Sequence, residues 1–381
     1  MSNIRSRITI IFIELGSIEK FLASDHVFER YNFPDHKFNR CRFMSSKRPK
    51  VFITRELFDE AINRIKEYYE VEIWDKYYAP PREVLLEKAS KYDALATLLT
   101  DKIDCELLER AKNLRIIAQY AVGFDNIDIE CATRYGVYVT NTPGVLTEAT
   151  AELTWALILA TARRIVEADK FVRSGGWLSS GTAWHPKMML GIELAGKTLG
   201  IVGIGRIGSR VAEIGKVFGM RVVYYDVVRR RDLEEKYGFE YMDLYKLAEV
   251  SDIVSVHTPL SKETYHLINE EFLKRMKKTA IVVNTARGPV IDTEALVKAL
   301  KEKWIAGAGL DVFEQEPLPP DHPLTKFENV VLAPHIGSAT YETRLAMAQI
   351  VADNLIAFYK GEIPPTLVNK EVVNKRKPGF Y

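Results

Sequence analysis

Three short apolar runs in the last third of the chain each hand over to a side chain capable of chemistry. "IVVNTARG" ends in Arg287, "GLDVFEQEP" carries Asp311 and Glu316, and "NVVLAPHIG" reads as a buried strand whose last position goes to His335. Histidine can give or take a proton near neutral pH. A carboxylate beside it favours the imidazolium form and so supports an acid. Arginine grips an anion with a permanent charge and a fixed fork of donors. Such a set suits redox chemistry at a carbonyl next to a carboxylate. Glu314 competes with Glu316 for the carboxylate role, and residue types alone leave that choice open.

Redox at a carbonyl needs a hydride carrier, and the stretch "TLGIVGIGRIGSRVAEIGKVFGMRVVYYD" has the form of a dinucleotide loop. Gly203, Gly205 and Gly208 stand in G-x-G-x-x-G spacing, between an apolar strand and an amphipathic helix. The first glycine permits the tight turn, the second admits a pyrophosphate, and the third lets helix pack on strand. Ile204, Arg206 and Ile207 complete the loop, and the helix start offers N–H groups and positive dipole to the phosphates. Asp226, eighteen residues past Gly208, ends the second strand. A carboxylate there accepts from ribose hydroxyls and repels a 2′-phosphate, which favours NAD(H), with NADP(H) still open. Arg229, Arg230 and Arg231 pull the other way and read as a solvated helix start.

The elements that must position these groups form two sets. From Lys50, short apolar runs ("KVFIT", "VEIWD", "ALATLL", "LRIIAQYA", "VYVTN") alternate with helical periods, the pattern of βαβ units and a parallel sheet. A long helical stretch, "TEATAELTWALILATARRIVEADKFVRSG", leads to a second alternation that carries the cofactor loop and the Arg/Glu/His set. The final helix, "YETRLAMAQIVADNLIAFYKGE", is expected to pack back on the first set. The expected fold is α/β with two Rossmann-like doubly wound parallel sheets and a cleft between them. Residues 44–145 and 338–381 would make a discontinuous, flavodoxin-like substrate domain, and 146–337 the dinucleotide-binding domain. Residues 1–43 are expected to be a leader, non-native or flexible.

Composition bounds the rest. The 381 residues hold 53 basic and 51 acidic side chains, a net charge of +2 that argues against nucleic acid or an anionic membrane as main partner. No apolar run is long enough to span a bilayer. Cys41, Cys105 and Cys131 show no metal-ligand spacing and are expected as free thiols in a reducing cytoplasm.

"GIGRIG", "NTARGPVID", "GLDVFEQEP" and "APHIGSAT" resemble the D-isomer-specific 2-hydroxyacid dehydrogenases, over about Lys50 to Val368. "AVGFDNID", "TAWHP" and "LAPHIG" place the resemblance closest to the glyoxylate/hydroxypyruvate reductase branch. The resemblance implies that Arg287 binds substrate, Glu316 supports the acid, and His335 is the acid/base. It implies that the amides of Val122 and Gly123 hold the substrate carboxylate. Leu99 and Trp184 would shape its pocket, Trp184 from a partner subunit. Thr147 and Asp311 would meet the nicotinamide carboxamide, while Thr285, Ala286 and Gly337 line the cofactor cleft. A homodimer acting on a small 2-keto acid is implied too. Relatives of the archaeal type often carry a small residue and an arginine where Asp226 and Val227 stand, so cofactor preference is not inherited from them.

The other histidines are given structural roles: His257 on the cofactor side, and His185 in a loop or at a dimer contact. His266 and His322 lie in polar contexts, and His26 and His36 in the leader. No histidine pair has metal spacing, so no metal is expected. The competing functions are a 3-phosphoglycerate or D-lactate dehydrogenase, and a non-catalytic NAD-sensing protein of the same fold.

Overall fold

The computed structural model describes residues 48–380. The expected leader, with His26, His36 and Cys41, lies outside the described residues. The first sheet contains β1 (Lys50–Ile53), β2 (Glu70–Ile73), β3 (Ala94–Thr97), β4 (Ile116–Gln119) and β5 (Tyr138–Thr140). They run parallel in the order β2-β1-β3-β4-β5, the flavodoxin-like arrangement. The second holds β6 (Thr198–Val202), β7 (Arg221–Tyr225), β8 (Glu240–Tyr241), β9 (Ile253–Val256), β10 (Ile281–Asn284), β11 (Gly307–Leu310) and β12 (Val330–Leu332). These are also parallel, in the order β12-β11-β10-β9-β6-β7-β8.

Both faces of each sheet are covered, which is why the strands read as unbroken apolar runs. In β1, Val51 and Ile53 enter one core while Phe52 enters the opposite one, as a period of two requires. In β10, Val282 faces one core while Ile281 and Val283 face the other.

The last helix, Tyr341–Tyr359, carries Met347, Ala348, Val351, Ala352 and Leu355 into the core that holds Val51 and Ile53. The chain thus leaves the first sheet, builds the second, and returns. Beyond the helix, Val368 donates its N–H to Val139 O, and the Asn369 side chain accepts from Val139 N and donates to Val137 O. This seam covers the β5 edge, which would otherwise expose unpaired backbone groups.

Three expectations are corrected. The long helical stretch breaks into Thr147–Ala162 and Ile165–Arg173, with Arg164 left-handed at φ 54°. Ile192 N donates to Ala162 O at 2.8 Å, a tertiary bond that no local glycine or proline announces. The strand before His335 stops at Leu332, because Pro334 has no N–H to continue a ladder. His335 therefore sits in a loop, at φ 55°.

The third correction concerns the cysteines: Cys105 and Cys131 are joined in a disulfide, their Cα atoms 5.5 Å apart. Ile103 and Ile127 bridge in parallel, and Asp104 and Asp128 then cap the helices Cys105–Arg110 and Ile129–Arg134. Two helices started side by side bring the sulfurs together, which a spacing of 26 residues does not reveal. Among the described residues, these sulfurs and the Asp128 carboxylate form a cluster of metal-ligand dimensions. Sulfurs bonded to each other are not thiolate ligands. The cross-link contributes about 3 kcal/mol by loop-closure entropy. Thiol titration of the denatured chain is expected to find two more reactive thiols per chain after reduction than before. An unchanged count would remove the disulfide.

Candidate active site

The site forms where the carboxyl ends of the two sheets meet. In open α/β sheets ligands bind beyond those ends, at the point where strand order reverses. In the second sheet β6 lies between β7 and β9, and its end carries the glycine loop. Gly203 takes φ 94°, which a side chain rarely adopts. A Cβ on Gly208 would fall 2.0 Å from Gly203 O, so helix and turn meet without a side chain between them. A Cβ on Gly205 would meet nothing within 4 Å, which leaves an open approach for a pyrophosphate above the helix Arg206–Val217. The loop thus fits the dinucleotide its spacing suggests.

Asp226 has a second task in the structure. Its carboxylate accepts from Ile204 N at 2.8 Å and Val228 N at 3.2 Å, tying the end of β7 to the glycine loop. Two of the three nearby arginines are occupied: Arg229 pairs with Glu234, and Arg230 with Asp232. Glu234 is pulled down to about 2 by hydrogen bonds from Arg229 and Tyr224, so it remains a counter-charge across the neutral range.

At the ends of β10, β11 and β12 the structure brings the Arg/Glu/His set into one neighbourhood. Asn284 shapes the turn after β10, accepting from Ala286 N and donating to Arg287 O. Thr285 hydrogen-bonds Thr154 on the preceding long helix. The Gly288 backbone lies so close to that of Phe313 and Glu314 that a Cβ would fall 1.9 Å from the Phe313 carbonyl carbon. That contact puts the arginine turn against the Glu316 loop. Glu316 Oε2 lies 2.7 Å from His335 Nδ1, and Oε1 accepts from Phe313 N at 3.0 Å. Burial pushes the Glu316 carboxyl up, but His335 and Phe313 N–H, with the charge of Arg287, hold it below its ordinary value. It stays ionised and can steady a protonated imidazole. With Nδ1 committed, Nε2 is the atom left to exchange a proton with a substrate.

Geometry separates the rival groups. Glu314 accepts from Thr293 N at 2.8 Å rather than reaching His335. His257 hydrogen-bonds Ser255, and burial drives it down to about 3, so it is neutral at working pH. His322 caps a 3₁₀ turn through Leu324 N, His185 accepts from Lys187 N, and His266 lies between Asp292 and Glu314.

Asp311, expected against a nicotinamide, is 1% exposed and accepts from Ile336 N and Gly337 N at 2.7 and 2.9 Å. Its backbone oxygen takes His335 N. In the structure it builds the turn that carries the histidine. Thr147 opens its helix with Oγ1 bonded to Gly144 O. Leu99 follows β3, and Val122 and Gly123 follow β4. Among the described residues neither of those two amides donates to a protein acceptor. Trp184 is 74% exposed and, among the described residues, bonds only within its own loop, through Thr182.

Sequence reasoning missed what holds the Val122–Gly123 loop. Thr97 donates to Gln119 at 2.7 Å, Gln119 to Asn126 at 2.8 Å, and Asn126 to the carbonyls of Leu98 and Asp101. Thr97 and Gln119, polar residues within apolar runs, were the available signal, and the structure buries both fully. It also missed Asp125, which reaches across to Arg287 with Oδ1 2.9 Å from Nε.

A dinucleotide loop on one sheet, with a hydrogen-bonded His335–Glu316 pair and Arg287 at neighbouring strand ends, has the make-up of a nicotinamide-dependent oxidoreductase. The model of the "D-isomer specific 2-hydroxyacid dehydrogenase, NAD binding domain" matches residues 155–337. A glyoxylate reductase from Aeropyrum pernix is 66% identical over 334 residues, 88% of this chain and all of that protein. Among solved structures, a protein from Thermus thermophilus superposes with a TM-score of 0.78 at 46% identity, over 84% of this chain and 99% of that one. The NADPH-dependent glyoxylate/hydroxypyruvate reductase from Sinorhizobium meliloti, with NADP and malonate, gives 0.74 at 32%, over 86% and 98%. The chain belongs to the D-isomer specific 2-hydroxyacid dehydrogenase family and is an oxidoreductase with that family's NAD-binding domain.

Replacing Glu316 by Gln keeps the shape and removes the charge that favours imidazolium. Turnover in keto-acid reduction at neutral pH is expected to fall roughly ten-fold or more, with NADH binding retained. Turnover matching the parent's would place the acid's support elsewhere.

Proposed function

We propose that this enzyme reduces glyoxylate, and the related hydroxypyruvate, to the 2-hydroxy acid, using NADH in preference to NADPH. The observation that carries the reading is the pairing of Glu316 with His335 beside Arg287 and the dinucleotide loop. The sequence relatives named glyoxylate reductase support the choice of substrate.

A nicotinamide held there would supply the hydride for the carbonyl carbon. The chain's own residues do the rest. Arg287 and the amides of Val122 and Gly123 hold the substrate carboxylate, fixing which face of the carbonyl is presented. His335 Nε2 delivers its proton to the carbonyl oxygen as charge develops there, and ionised Glu316 stabilises the imidazolium beforehand. Leu99 and Trp184 bound the pocket. Asp311 and Gly337 fix the turn beneath the histidine, Thr147, Thr285 and Ala286 line the cofactor side, and Gly203 to Gly208 seat the pyrophosphate. In domain terms, the first sheet with the Tyr341–Tyr359 helix is the substrate lobe, and the second sheet is the cofactor lobe.

A homodimer is part of the same reading. Ile165, Val172, Leu178, Trp184 and Leu190 are all more than half exposed along one segment, and Leu178 is 89% exposed. The helix Ile165–Arg173 buries none of its residues. An apolar arm of this kind marks a protein–protein surface, and a second copy covering it would bring Trp184 to a neighbouring pocket. No described helix is long and apolar enough to cross a membrane. A cytoplasmic location fits the need for reduced nicotinamide.

Two measurements test this. His335→Ala is expected to lower NADH consumption with glyoxylate by roughly 10²–10⁴-fold while NADH binding is retained; near-parental turnover would exclude His335 as the acid. Asp226→Ala is expected to narrow or reverse the NADH/NADPH ratio of kcat/KM, because the carboxylate that repels a 2′-phosphate is gone. An unchanged ratio would refute that role.

A further inference from the structure

Arg287 is held from the lobe opposite its own. It follows β10 of the second sheet, yet its Nε donates to Oδ1 of Asp125, in the loop after β4 of the first sheet, at 2.9 Å. Nη1 is turned back onto Ala286 O at 2.8 Å. Nη2 has no acceptor among the described residues and lies against Gly123, where a Cβ would come within 1.6 Å of it. The nitrogen left over thus meets the residue whose amide, with that of Val122, is also without a protein acceptor.

We propose that Asp125 is a positioning residue for Arg287, holding the guanidinium edge-on across the lobes so that Nη2 and the two loop amides form one seat for the substrate carboxylate. The proposal rests on the reading that Arg287 binds that carboxylate. A guanidinium on a flexible stem explores many orientations, and anchoring Nε and Nη1 leaves one donor with a fixed direction. The Asp125 side chain is about a third exposed, so the anchor works through a directed, charge-assisted hydrogen bond rather than through a buried charge. Asp125 touches neither proton nor hydride. It acts through the arginine, and its loss should weaken substrate binding more than the chemical step.

The experiment is a double-mutant cycle on the whole enzyme, following NADH oxidation with glyoxylate. D125A is expected to raise the KM for glyoxylate about ten-fold, with a smaller change in kcat and none in the KM for NADH. D125N keeps an acceptor for Nε and should fall between D125A and the parent. In an R287A background, D125A should add nothing, whereas a merely structural contribution would add in full. A glyoxylate KM unchanged or lowered by D125A overturns the proposal, as does a penalty that persists without Arg287. If R287A itself leaves the glyoxylate KM untouched, the substrate-binding reading of the arginine fails. If R287A raises it and D125A is silent, only the role of Asp125 fails.

Discussion

The Asp311 carboxylate holds the site together. It is removed from water, which is costly for a charge unless partners replace the solvent. Its partners are the N–H groups of Ile336 and Gly337, and its own backbone oxygen takes His335 N. Burial still pushes its carboxyl upward against the pull of those amides and of His335. That tightly held turn lets His335 adopt a left-handed backbone, and the imidazole arrives beside Glu316.

The same economy recurs across the site: polar side chains shape backbone, and the shaped backbone presents the chemistry. Asn284 bonds both ends of the turn that carries Arg287. Asp226 binds the amide of Ile204 inside the glycine loop. Thr97, Gln119 and Asn126 pass a chain of hydrogen bonds under the loop of Val122 and Gly123. The disulfide between Cys105 and Cys131 cross-links the two helices that follow the loops after β3 and β4. Each reacting group therefore stands on structure that is already satisfied, which is what a preorganised site requires.

Arg287 makes a contact from one lobe to the other. Their sheets have separate cores, each built from strands buried on both faces. The ion pair with Asp125 joins an arginine from one sheet to a loop from the other. If, as proposed, substrate and cofactor come from different lobes, a contact spanning them lies where their alignment is set.

Much of this was legible from residue order, and the reasons are local. Parallel strands buried on both faces must be apolar, so β1, β6 and β10 could be read directly. The glycine spacing follows from close backbone approach, and polar residues following apolar runs made Arg287, Glu316 and His335 candidates. What only the tertiary structure decided depends on neighbours distant in sequence. Ile192 takes the carbonyl of Ala162 and breaks a helix that composition would continue. Glu316 rather than Glu314 meets His335, because Glu314 is drawn to Thr293 N. Cys105 and Cys131 meet because the Ile103–Ile127 bridge sets their helices side by side. Spacing along a chain encodes periodicity and turn chemistry; it does not encode which of two equivalent groups lies within reach once strands from elsewhere have taken their places.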